Sequence, residues 1–195
     1  MEKLRVLLFL AIAAVTLSGC SELRYSETMP EARDFHPKTI GILPVDVSKN
    51  EEARGVIDKI VADVLLRKKW FDKVVPGEEV RQRLTADETL RRGIDQYQSK
   101  LNLLNYSDPQ LSQNIGETFG TAAILIVRVD YWLFTKDKGD DIAKVGLYMK
   151  LVDTSTGRLV WRAGHNIDKS YTLFKPTLPD VARDVAQQML SNLPH

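Results

Sequence analysis

Residues 115–134 read IGETFGTAAILIVRVDYWLF, and the fold turns on this stretch. Its first part ends a helix that opens at Asp108-Pro109. There a carboxylate can cap backbone amides, and proline takes the first helical position, where its missing N–H costs nothing. Gly120 is the expected stop. Ala122 to Val127 is then continuously apolar, the opening of a strand. Beyond it Val127, Val129, Tyr131 and Leu133 alternate with Arg128, Asp130 and Trp132, the period of a strand covered on one face. A helix feeding such a strand points to an α/β domain.

The same period continues downstream. Val145, Leu147, Met149 and Leu151 alternate with Lys144, Gly146, Tyr148 and Lys150. After the turn formers Asp153 to Gly157, Leu159, Trp161 and Ala163 alternate with Arg158, Val160 and Arg162. A last helix is predicted from Thr177, with Asp180 three residues on, aligning Val181, Val185, Met189 and Leu193. Upstream, Thr39 to Val45 reads as a buried strand. The Ser48–Glu51 spacing predicts a capping box, followed by a helix of about five turns through Val56, Ile60, Val64 and Leu65. Phe71 to Pro76 is a second short strand, and residues 78–107 form one or two helices. This order predicts one α/β domain over 39–195, a mixed sheet flanked by helices. Val127, Val129, Leu147, Leu159 and Trp161 share one phase and are its predicted core.

The chain's start carries a different message. Lys3 and Arg5 precede an apolar run from Val6 to Leu17, the pattern of a secretory signal. The run's 12 residues reach about 18 Å as a helix, short of a roughly 30 Å bilayer core. It ends Leu17-Ser18-Gly19-Cys20, which resembles the lipobox of bacterial lipoproteins. That resemblance implies cleavage after residue 19 and a diacylglycerol on Cys20. Ser21 follows where an aspartate would imply inner-membrane retention, so the implied location is the outer membrane, facing the periplasm. Residues 20–38, with Pro30 and Pro37, read as the lipidated cysteine and a tether, and the membrane is the first expected partner.

Composition narrows the chemistry. Among 195 residues, 27 Lys+Arg face 26 Asp+Glu, so no basic field exists for nucleic acid. One cysteine excludes an intramolecular disulfide and a multi-cysteine metal site, and three histidines leave little for a metal centre. No phosphate-binding glycine loop and no G-x-S-x-G elbow occurs. Asp137, Asp140 and Asp141 lack calcium-loop spacing and read as a hairpin turn. No catalytic residue, metal or cofactor is assigned beyond the covalent lipid on Cys20.

Three segments carry a further resemblance: TIGILPV (39–45), IGETFGTAAILIVRVDYW (115–132) and LVDTSTGRLVW (151–161). Together they resemble a group of envelope lipoproteins that includes the curli-secretion lipoprotein CsgG, the penicillin-binding-protein activator LpoB and the N-terminal domain of TolB. The resemblance implies a TolB-N-terminal-like periplasmic domain. A secretion pore would need added membrane-crossing hairpins, and none is spare here. The expectation is a non-enzymatic accessory or assembly factor that binds a protein of a cell-envelope machine. A peptidoglycan-synthase regulator is the alternative, and an envelope enzyme stands behind it. The opposite phase of the late strands, Arg128, Trp132, Tyr148, Lys150 and Arg162, is the candidate partner face, since aromatics and arginine are enriched at interface centres. The competing expectation is that a helix of the same domain, the C-terminal one first, covers this face and makes Trp132 and Tyr148 ordinary core.

Cys20→Ala should abolish metabolic labelling with fatty acid and block cleavage before residue 20. Undiminished labelling of that variant would exclude Cys20 as the anchor.

Overall fold

The computed structural model describes residues 23–32 and 34–195, so Leu17, Ser18, Gly19 and Cys20 lie outside the described residues. The strands are β1 (Tyr25–Thr28), β2 (Thr39–Ile42), β3 (Lys73–Val75), β4 (Ala123–Asp137), β5 (Asp140–Asp153) and β6 (Leu159–Tyr171). The helices are α1 (Val56–Lys68), α2 (Gly77–Ala86), α3 (Glu88–Leu104), α4 (Pro109–Phe119) and α5 (Leu178–Leu190). The strands form one mixed sheet in the order β1-β6-β5-β4-β2-β3. β2 runs parallel to β3 and β4, and the remaining pairs are antiparallel.

Each face of the sheet has its own core. On one face α1 and α5 bring Ile57, Val61, Leu65, Val181, Val185 and Met189 onto Leu125, Val127, Leu147, Met149 and Trp161. On the other, α2, α3 and α4 set Leu84, Tyr97, Leu101, Ile115 and Phe119 against Ile124, Ile126 and Val152. The apolar run at the start of β4 follows directly, because that segment is covered twice. The helix ends behave as read: Asp108 accepts from the amides of Gln110 and Leu111, Gly120 closes α4 in the left-handed region, and Thr177 accepts from Asp180 N.

Three expectations are corrected. The Ser48–Glu51 box does not form. Ser48 donates to Asp46 instead, and α1 starts later, at Val56. Asp58 organises that start. Its buried carboxylate accepts from the amides of Val45 and Gly55 and from Arg81 of α2, the last at 2.6 Å. Second, the predicted tether contains a strand. Tyr25 to Thr28 pair with β6, and Arg24 N donates to the Nδ1 of buried His165. Within four residues so poor in apolar side chains, pairing to a neighbouring strand rather than periodicity creates the element.

The third correction concerns phase. Opposite β5, Val129 pairs with Leu147 and Tyr131 with Gly146, so Asp130 is an extra residue. The bulge sits where β4 parts from the β2 side: Val129 N still donates to Asp46 O, and the strand then runs on past that neighbour. One inserted residue exchanges the faces. Trp132, expected beside Arg128, therefore turns under α1 and α5 and is only 8% exposed, while Tyr131 turns outward. A second irregularity, where Leu151 faces Trp161 but Val152 faces Leu159, moves Leu159 from the predicted core to the edge of the other one. Val127, Val129, Leu147 and Trp161 are buried as read.

Trp132→Ala should lower stability by about 3–5 kcal/mol, as truncation of a packed aromatic does, measured by denaturant unfolding. A loss below about 1 kcal/mol would place Trp132 outside the core.

Candidate functional site: the open face of the sheet

Past the end of α3, no described helix covers the face of β4, β5, β6 and β1 that points away from α1 and α5. Its side chains stand in cross-strand rows. Arg128, Tyr148, Gly164 and Tyr25 form one row, and Lys150, Arg162 and Glu27 form the row nearer α3. On the other side come Tyr131, Gly146 and Asn166, then Leu133, Lys144 and Asp168. Both glycines are there for close approach. A Cβ on Gly164 would meet the Tyr25 ring at 2.6 Å, and one on Gly146 would meet the Tyr131 ring at 2.6 Å. The two tyrosines therefore lie flat on bare backbone.

Charge is stacked on these rings. The Arg128 guanidinium lies 4.9 Å from the Tyr148 ring and donates to Asp130 at 2.9 Å. Tyr25 and Tyr148 are 6.1 Å apart at a 47° tilt, and Lys144 sits 4.6 Å over Tyr131 while pairing with Asp168. Arg162 pairs with Glu27 of β1 at 2.6 Å. Packing on the sheet, and the Tyr148 hydroxyl beside it, push the Tyr25 phenol well above the ordinary tyrosine range. Flat aromatics alternating with arginine and lysine suit a protein surface, where ring area and charge are presented together.

Of the five residues proposed for this face, Arg128, Tyr148 and Arg162 are brought together on it. Trp132 is on the opposite side. Lys150 is on this face but only 2% exposed, because its ammonium caps α3, donating to Leu101 O and Asn105 Oδ1 at 2.8 Å each. A cation there complements the helix C-terminus. Tyr25, Glu27 and Tyr131 belong to the face and were missed. The signal for the two tyrosines was the pair of glycines facing them, Gly146 and Gly164, which periodicity alone does not assign to a partner; Glu27 stands opposite Arg162 and had no such signal.

A second concavity, about 530 Å³, lies beyond the carboxyl end of β2, where α1 and α3 leave for opposite faces. α/β folds often bind ligands at such a switch point. Here the polar groups are largely engaged with one another. Asp46 accepts from Ser48 and Asn102, Gln98 donates to Pro44 O, and Arg54 is held by Glu51. At the tip of the β4–β5 hairpin, Asp141 pairs with Lys136. Among the described residues no three His, Cys, Asp or Glu side chains converge as metal ligands.

The chain matches no protein-family model and no curated protein. Its fold has counterparts among solved structures. It is similar to PelC from Paraburkholderia phytofirmans, solved as a dodecamer, with a TM-score of 0.53 and 16% identity over 80% of this chain and 87% of that one. A variant PelC dodecamer aligns at 0.54 and 14%, over 89% and 96%. Lipoprotein GNA1162 from Neisseria meningitidis aligns at 0.52 and 16%, over 80% of this chain and all of its own. At such identity the likeness establishes the α/β fold alone, and the narrower TolB-like grouping does not follow from it.

Lys150 makes the face testable by titration. Burial first, then Arg128 and Arg162, lower its pKa from 10.5 to about 8. The unfolded chain thus holds the proton more tightly, and stability should rise with pH between those values. Lys150→Met should flatten this rise between pH 8 and about 9.5, below the range of ordinary tyrosines. Parallel profiles for the variant and the parent would show that the buried ammonium does not titrate there.

Proposed function

We propose that this protein is a lipid-anchored periplasmic lipoprotein of the outer membrane. In this reading it acts without catalysis, as an accessory or assembly factor whose open sheet face binds a protein of the cell envelope. The observation that carries the reading is the uncovered row of Arg128, Tyr148 and Tyr25, with Arg162 beside it. An α/β sheet that dresses one half with helices on both faces and leaves flat aromatics and arginine on the other half presents a surface suited to association. That lipoprotein GNA1162 shares the fold supports the anchor. That PelC, with the same fold, assembles as a dodecamer makes a second copy of this chain the first partner to seek.

A regulator that must cross the peptidoglycan is less well served. With Leu23 already packed on the domain, the chain back to Cys20 spans at most about 11 Å. The tether read from sequence was several times longer.

The test places a photo-crosslinking residue at Asn166, within the face, in cells making the full chain. One discrete partner should be captured, either a second copy or another envelope protein. Arg128→Ala with Tyr148→Ala should abolish that capture while the unfolding midpoint stays within a few degrees of the parent. Undiminished capture by the double variant would remove the face as the binding site.

A further inference from the structure

The end of the sheet farthest from the β5–β6 turn carries the largest apolar exposure among the described residues. Leu173 and Phe174, consecutive in the loop between β6 and α5, are 88% and 89% exposed. Leu133 and Phe134, nearer the outer end of β4 and on opposite faces of the sheet, are partly exposed as well. Side chains this bare are ordinary when isolated, but a cluster of them marks a contact surface. Lysines ring the cluster. Lys175 sits 3.5 Å over the Phe134 ring, and Lys136, Lys138 and Lys169 are exposed at the same end.

The chain's path says what meets this end. β1 runs antiparallel to β6, with Thr28 opposite Trp161 and Tyr25 opposite Gly164. Followed back toward its start, β1 therefore climbs β6 toward Tyr171, which stands level with Asp141 at the hairpin tip. Arg24 is already at His165. From Leu23, Cys20 is three residues away, within about 11 Å. A lipid on Cys20 would enter the bilayer within that reach of Leu23, which precedes β1 on the side toward the sheet's apolar end.

Resting on the lipid-anchor reading above, we infer that the Leu173-Phe174 loop and the β4–β5 hairpin tip form a second membrane contact, dipping into the leaflet that holds the Cys20 lipid. Leucine and phenylalanine enter the acyl boundary, and the lysines keep their ammonium groups among the headgroups. Charge adds little, because Asp137, Asp140 and Asp141 share the tip, so the contact is mainly apolar. Its consequence is orientation. A lipid alone leaves the domain free to tumble, whereas two contacts hold the sheet upright and present its open face sideways along the membrane.

The test uses the full mature chain, with Cys20 acylation confirmed by mass and its thiol thereby blocked. It is reconstituted in vesicles of phosphatidylethanolamine and phosphatidylglycerol. Phe174→Cys and Ser155→Cys variants carry an environment-sensitive fluorophore, Ser155 lying in the turn roughly 40 Å along β5 from the hairpin tip. The label at 174 should shift to the blue and be quenched by shallow spin-labelled lipids, and the label at 155 should do neither. Leu173→Ala with Phe174→Ala should reduce lipid quenching of a label at Lys138→Cys, with unfolding unchanged.

An acylated chain whose 174 label stays in water overturns the inference while leaving the anchor intact. Equal quenching at 155 and 174 also overturns it. Shielding of 174 that requires added envelope proteins, and is absent on lipid alone, would make the loop a protein-docking element and overturn the membrane contact. A mature chain without acyl mass would remove the anchor and, with it, this inference.

Discussion

One extra residue in β4, Asp130, governs what each half of the molecule can do. Before it, β4 is flanked by β2 on one edge and by helices on both faces, and every side chain from Ala123 to Val127 is buried. After it the strand has passed its β2 neighbour and the side-chain phase has reversed, so Trp132 joins the core below and Tyr131 lies on Gly146 above. The bulge lets a long hairpin continue beyond the helical layers while keeping a tryptophan inside. Asp46, whose backbone pairs with β4 on either side of Arg128, fixes where the reversal occurs.

Much of this was legible in the residues. The helix start at Asp108-Pro109, its stop at Gly120, the apolar opening of β4, the two hairpins and the last helix each carry local signals: caps, a proline, a left-handed glycine, an apolar run or a clean period. Arg128, Tyr148 and Arg162 were assigned to a common face for the same reason. What could not be read depended on partners distant in sequence. A bulge is a property of two paired strands, so a strict alternation across Asp130 put Trp132 on the wrong side. β1 has almost no hydrophobic signature of its own and exists because β6 offers an edge. Lys150 looked like a surface cation, because nothing nearby in the chain reveals that the carbonyl of Leu101 waits for it.

The two halves of the sheet divide the work between them. Helices on both faces of β3, β2 and the first part of β4 supply the stability of an ordinary α/β domain. The antiparallel half keeps α5 on one face and gives the other to tyrosines on glycine backbone, with arginines and lysines pinned by ion pairs to Asp130, Glu27 and Asp168. Rigid rings and preorganised cations lose little freedom when a partner settles on them. In the proposed reading β1 ties this surface to the membrane, because the strand that supplies Tyr25 and Glu27 begins a few residues after Cys20. On that reading, a short lead and a paired first strand would make the orientation of the domain part of its function.

Hydroxyl-radical footprinting of the tyrosines, comparing native membranes with the purified full chain in detergent, tests most directly whether the open face is the surface in use. Tyr25 and Tyr148 should be oxidised less in membranes, while Tyr106, exposed beyond the end of α3, should be oxidised equally in both. Equal oxidation of all three tyrosines in both settings would contradict a role for this face in binding.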